Sequence, residues 1–189
     1  MKNLGHRLGA SGTIHENTIE GLLESLDLVS DRRFKYWEFD VRESSDGVLF
    51  AFHDDCIKIN GKMIETRYLS YDEIYRTGES MMISIPTFQQ IVEVLKDREE
   101  RVMIEIKNVH SDSAREALLL SVSGNEDWIL MSTPERFLES FPSETRNLWN
   151  ERARTLGVKL VRVGRHRVDL FKASTVSYTH LTLPTNREV

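Results

Sequence analysis

Val102-Met103-Ile104-Glu105-Ile106-Lys107 is a short run with strand chemistry and charges toward one end only. Val102, Ile104 and Ile106 fall on one side, while Glu105 and Lys107, two apart, share the other. So apolar a run, bounded by charged residues, predicts a strand buried in a sheet. Working outward, residues 2–6, 36–41, 48–53, 128–132 and 158–163 carry further strand patterns. Helical spacing fills the gaps. Ile19, Leu22, Leu23, Leu26 and Val29 follow a capping pair of Asn17 and Glu20. Phe88, Ile91, Val92 and Leu95 follow Thr87 and Gln90, and Ala117, Leu118 and Val122 follow Ser113 and Glu116. A fourth helix is predicted around Leu148, Trp149, Arg152, Ala153 and Leu156, stopped by Gly157. Strands alternating with helices imply a parallel sheet covered by helices. Residues 54–85 interrupt that order with a long excursion holding one helical stretch near 71–76, and an insertion of this kind covers a site more often than it forms a domain.

Composition narrows the function classes. The chain has 189 residues, 40% of them hydrophobic, with 25 Lys and Arg against 30 Asp and Glu for a net charge of −5. The apolar share is enough for one packed domain. No run approaches the roughly 18 apolar residues of a membrane span, and the N-terminus has no leader pattern. The single cysteine, Cys56, fits a cytoplasmic setting. A mildly acidic balance argues against nucleic acid as a partner but leaves room for a small phosphorylated ligand.

The ionisable residues gather at the ends of the predicted strands. His6 and Arg7 end the first, Glu38 and Asp40 share a face of the second, His53 and Asp54 end the third, and Glu105 and Lys107 share a face of the fourth. Parallel strands put all four ends on one rim, where such folds carry their active sites. Repeated inward charges are costly unless paired or bound to a metal. Glu38, Asp40 and Glu105 offer hard oxygen donors suited to Mg²⁺ or Ca²⁺. The histidines lack zinc spacing, so His6 and His53 fit general acid and base, with the assignment between them open. Arg7 and Lys107 are cations suited to phosphate oxygens. Together these groups describe phosphodiester cleavage.

The same residues resemble a family. Gly5-His6-Arg7, Gly9-Ala10-Ser11-Gly12 and Glu16-Asn17-Thr18 are similar to the opening signature of the glycerophosphodiester phosphodiesterases. Glu38-Phe39-Asp40-Val41, Asp46-Gly47, His53-Asp54-Asp55, Ile85-Pro86-Thr87 and Ile104-Glu105-Ile106-Lys107 continue it in order. The resemblance implies a TIM-type (β/α) barrel and divalent-metal-dependent hydrolysis of glycerophosphodiesters to an alcohol and glycerol 3-phosphate. Carried over by motif, Glu38, Asp40 and Glu105 are metal ligands, His6 and His53 the acid and base, and Arg7 and Lys107 the phosphate holders. Glu16 and Asn17 belong to a loop that contacts the site, with Asn17 either a helix cap or a site contact. The family reads His-Arg-Gly where this chain inserts Leu8, and Pro where it has His15.

The resemblance covers residues 3–107 and fades beyond. Six strands are found, and strands 7 and 8 are not evident, whereas a full barrel takes about 250 residues. A truncated barrel over residues 1–173 is therefore expected, followed by an atypical tail at 174–189, non-native in origin or simply flexible, with six Ser or Thr. Two other readings stand beside the hydrolase. One is a barrel phospholipase D-like lyase, hinted at by Met81-Met82-Ile83, and the other an inactive fragment that binds only metal or phosphate.

Overall fold

The structure, a computed structural model, describes residues 3–163. The tail expected at 174–189 lies outside the described residues. Among the described residues there are seven strands, β1 (Trp37–Glu43), β2 (Leu49–Ala51), β3 (Cys56–Ile59), β4 (Lys62–Glu65), β5 (Val102–Asn108), β6 (Trp128–Ser132) and β7 (Lys159–Arg162). Six helices accompany them: α1 (Ile19–Glu24), α2 (Tyr71–Ser80), α3 (Phe88–Leu95), α4 (Asp112–Val122), α5 (Pro134–Ser140) and α6 (Arg146–Thr155). The main sheet runs β2-β1-β5-β6-β7, and β3 pairs with β4 separately. Among the described residues the sheet is open, with β2 and β7 at its edges, an α/β half-turn of a TIM-type barrel rather than a closed one.

β1, β5, β6 and β7 are mutually parallel. Trp37, Phe39 and Val41 of β1 and Val102, Ile104 and Ile106 of β5 are fully buried, packing with Ile91, Leu95 and Leu118 of the covering helices. The alternate residues of β1 point to the other face, and that period of two is what aims Glu38 and Asp40 together.

Two expected strands differ. Of the segment expected at 2–6, residues 4–6 form turns, not a strand. They still lie along β1, because Glu38 N–H donates to Gly5 O and Leu8 N–H donates to Glu38 O, both at 2.8 Å. In a regular parallel pairing the two partners of one residue are two apart. Here they are three apart, so the inserted residue is absorbed as a bulge, with Arg7 and Leu8 both at positive φ (52° and 58°) and Leu8 wholly buried.

The other difference is direction. β2 is antiparallel to β1, with Val41 opposite Ala51 and Glu43 opposite Leu49. The connection is too short for a parallel crossover and turns at Asp46-Gly47, where Gly47 has φ 83°. The third strand therefore does not end on the shared rim. It runs back down β1, so that Phe52 N–H donates to Asp40 O at 3.3 Å and His53 returns to the level of the acidic residues.

The helix caps also shift. Thr18, not Asn17, caps α1, which ends at Glu24 before a 3₁₀ turn at Leu26–Ser30. Ser111, not Ser113, caps α4. The Thr87–Gln90 capping box forms as expected. The excursion at 54–85 builds the β3–β4 hairpin and α2 around its own small core of Phe50, Ile57, Leu69, Ile74 and Ile85. Met81 and Ile83 pack against that core, leaving Met82 exposed.

Candidate active site

Asp40 sits opposite Glu105 in the β1–β5 register, and Glu38 lies one pleat below on the same face. One ligand oxygen from each of Glu38, Asp40 and Glu105 lies within 4.8 Å of the others. Glu38 and Asp40 are 4% and 1% exposed. Burial first, and the Asp40 charge second, push the Glu38 carboxyl up to about 8, against the Arg7 N–H and Lys107, which pull it down. Glu38 Oε2 accepts the Arg7 backbone N–H at 2.8 Å, while buried Oε1 accepts nothing. Three close carboxylates with an orphaned inward oxygen fit a hard divalent cation.

Lys107 answers the same charges. Its Nζ is 3.1 Å from Asp40 Oδ1 and 2.5 Å from Glu105 Oε1. A register shift between Val41 and Arg42 makes Asn108, not Lys107, the partner of Arg42, and this bulge leaves Lys107 unpaired on β5. Burial works against its ammonium, but Asp40 and Glu105 outweigh it and hold the pKa above the usual lysine range.

The first loop closes over this cluster. Asn17, 2% exposed and at φ 61°, clasps Asp40 from both ends. Its Nδ2 donates to Asp40 Oδ2 at 2.8 Å, and its Oδ1 accepts the Asp40 N–H at 3.1 Å. Arg7 Nη1 donates to Glu16 Oε1 at 2.7 Å, and Arg7 Nε lies 3.8 Å from Asp40 Oδ2. Glu16 also accepts the Gly12 N–H at 2.9 Å, tying guanidinium to loop. His6 Nε2 lies 3.6 Å from Glu38 Oε2, and its Nδ1 is 2.9 Å from Ser11 Oγ.

His53 enters from the β2 side. Its Nδ1 meets Asp54 Oδ1 at 2.7 Å, and it lines a cavity of about 170 Å³ together with Glu105 and Lys107. Arg42, Asp55 and Arg136 line it too; the sequence reading holds Asp55 only as part of the His53-Asp54-Asp55 motif, with no role, and does not reach the other two. Asp55 accepts from Arg42 at 2.9 Å and from Arg136 at 2.6 Å. Arg42 stands two residues beyond Asp40, so the period that found Glu38 and Asp40 also reaches it. Arg136 lies in α5, announced by Thr133-Pro134 directly after β6.

The model of the glycerophosphoryl diester phosphodiesterase family matches residues 6–173. No curated protein matches the chain. Among solved structures, one from Silicibacter pomeroyi assigned to the glycerophosphoryl diester phosphodiesterases is similar at 16% identity and TM-score 0.53, covering 85% of this chain and 81% of its own. A glycerophosphodiester phosphodiesterase from Parabacteroides distasonis is similar at 18% identity and TM-score 0.51, covering 84% and 82%. The glycerophosphoryl diester phosphodiesterase domain of a Mycobacterium tuberculosis protein is similar at 12% identity and TM-score 0.55, covering 83% and 57%. At such identities the likeness is one of fold.

Proposed function

The chain belongs to the glycerophosphoryl diester phosphodiesterase family of phosphoric diester hydrolases, and from that premise we propose that it splits glycerophosphodiesters into an alcohol and glycerol 3-phosphate with the groups around Asp40. The observation that carries the proposal is the cluster of three close carboxylates, one with an orphaned oxygen, bordered by two histidines and two cations. Glu38, Asp40 and Glu105 are the residues that would hold a divalent cation, Mg²⁺ or Ca²⁺. Such an ion, when bound, supplies charge neutralisation at the phosphoryl group.

The chain's own residues do the rest. Lys107, and Arg7 once freed in part from Glu16, hold phosphate oxygens by charge-assisted hydrogen bonds. Asn17 fixes the Asp40 carboxylate. His6 and His53 exchange protons with the nucleophile and the leaving oxygen. Asp54, bonded to His53 Nδ1, leaves Nε2 as the atom that faces the reaction. A neighbouring hydroxyl of the substrate's glycerol is the nucleophile that proximity favours, giving a cyclic phosphate that water then opens. The substrate is a small molecule, and the chemistry asks for no nucleic acid partner. No helix among the described residues is long and apolar enough to cross a membrane. On the single cysteine, which fits a reducing setting, we place the reaction in the cytoplasm.

The test is release of glycerol 3-phosphate from a mixed set of glycerophosphodiesters, with Mg²⁺ or Ca²⁺ and with chelator. Release that chelator stops is the expected result. Release unaffected by chelator, or none with either ion, refutes the proposal.

A further inference from the structure

Beyond the catalytic cavity the described residues form a trough. A cavity of about 360 Å³ shares Arg42, Asp55 and Arg136 with the catalytic one. A third, of about 470 Å³, shares Arg67, Asn108 and Glu139 with the second. The three run in series between the hairpin excursion and α5. The doubly paired Asp55 forms the wall between the phosphate-cleaving end and the rest. We propose that this trough receives the alcohol portion of the diester and selects a polyhydroxy alcohol, such as glycerol or inositol. The inference rests on the hydrolase reading above.

Three observations point to that chemistry. First, the second cavity presents the guanidinium groups of Arg42, Arg67 and Arg136 against the carboxylates of Asp55, Glu65 and Glu139, a neutral sum. An acyl chain there would strip charged groups of water without replacing the hydrogen bonds. Hydroxyl groups both donate and accept, and so can meet guanidinium and carboxylate alike. Second, the Asn108 carboxamide borders both cavities, and its enclosed Oδ1 accepts no hydrogen bond. An orphaned acceptor of this kind is stabilised by a hydroxyl donor. Third, the Tyr68 ring that lines the far end of the trough already carries a cation on one face. The Arg67 guanidinium lies 4.8 Å from the Tyr68 ring centroid and is held by Glu65 at 2.7 Å. A quaternary ammonium such as choline needs that face and has no N–H to offer Asn108.

The experiment compares kcat/KM of the full chain on glycerophosphoinositol and glycerophosphocholine. The expected preference for the inositol diester is about tenfold, the worth of one recovered hydrogen bond. Asn108→Ala should reduce that ratio roughly tenfold by the same reasoning. Arg67→Ala frees that face of the Tyr68 ring and should move the ratio toward choline by about twofold to fivefold, the worth of a cation–π contact at an exposed ring. Equal or better turnover of the choline diester by the unaltered chain, or a ratio that neither variant moves, overturns the proposal. If neither diester is cleaved with Mg²⁺ or Ca²⁺, the hydrolase reading fails. NMR titration of the chain with inositol and with choline chloride still reads the trough. Inositol-specific shifts at Asn108 and Arg136 support it, and their absence, or equal shifts with choline, refutes it.

Discussion

Glu38→Gln should make the metal-free protein more stable at alkaline pH while removing its response to divalent cations. The wild-type carboxyl is held up at about 8, by burial and then by Asp40, against an ordinary value of 4.5. The sign follows from proton uptake. A carboxyl whose folded pKa lies above its unfolded one favours folding in its neutral form. Stability is therefore full at low pH and falls as pH rises from the ordinary carboxylate range through 8. Each pKa unit is worth about 1.4 kcal/mol, so the displacement sets a ceiling of about 5 kcal/mol. Glutamine stays neutral and keeps an oxygen for the Arg7 N–H, but its amide carries a desolvation cost of its own. The expected gain at pH 8.5 is about 2 kcal/mol, or roughly 4 to 8 °C in Tm for a chain of this size. At pH 5.5 the folded wild-type carboxyl is protonated while the unfolded one is largely ionised, so only about 1.4 kcal/mol of the ceiling is lost there, and the variant, carrying its amide cost, should be about 1 kcal/mol less stable than wild type. Thermal unfolding followed by near-ultraviolet circular dichroism, at both pH values in chelator and in Mg²⁺, gives all four comparisons. A variant less stable than wild type at pH 8.5 in chelator, or one that Mg²⁺ stabilises as fully as wild type, refutes the reasoning.

Three further outcomes are expected. His53→Ala should lower kcat at least about a hundredfold and leave the denaturation midpoint in place, because the ring is one-third exposed; retained turnover would remove its assigned role. Asn17→Ala orphans the buried Asp40 N–H and puts alanine at positive φ. It should cost about 2 to 4 kcal/mol and weaken Mg²⁺ binding in calorimetry, and a loss under about 0.5 kcal/mol counts against the clasp. Asp55→Asn leaves buried Arg42 without its counter-charge and should cost about 2 to 3 kcal/mol in urea unfolding. An unchanged midpoint would show that Arg136 and Arg42 tolerate each other unscreened.

Where composition and period carried the information, the sequence was legible. Val102, Ile104 and Ile106 marked a buried strand, and Glu38 and Asp40 marked a shared face, because side-chain alternation is a property of the strand alone. Strand direction is not. The pattern Val48–Leu49–Phe50 reads the same in both senses, and only the short turn at Asp46-Gly47 excludes a parallel crossover. The β3–β4 hairpin carried its own signal in Asn60-Gly61, both at positive φ (49° and 80°) as a type I′ turn requires. Asn17 shows the limit for site residues. Its residue type suits a helix cap and a carboxylate clasp equally, and the choice is made by Thr18 taking the cap, a contest between neighbours that no spacing rule resolves. Arg136 lay out of reach for another reason, since its partner Asp55 stands 81 residues away in the sequence.

The antiparallel return of β2 has a bearing on how the site comes into being. Because β1 and β2 are joined by a tight turn, Glu38, Asp40 and His53 are brought level by one hairpin, an event of microseconds that needs no distant part of the chain. Glu105 arrives only when β5 docks beside β1, after the entire excursion and α3 have been threaded between them. Two of the three proposed carboxylate ligands are thus local and one is non-local. An ion that requires all three carboxylates cannot bind the nascent hairpin, and its capture marks the moment at which the long loop has closed.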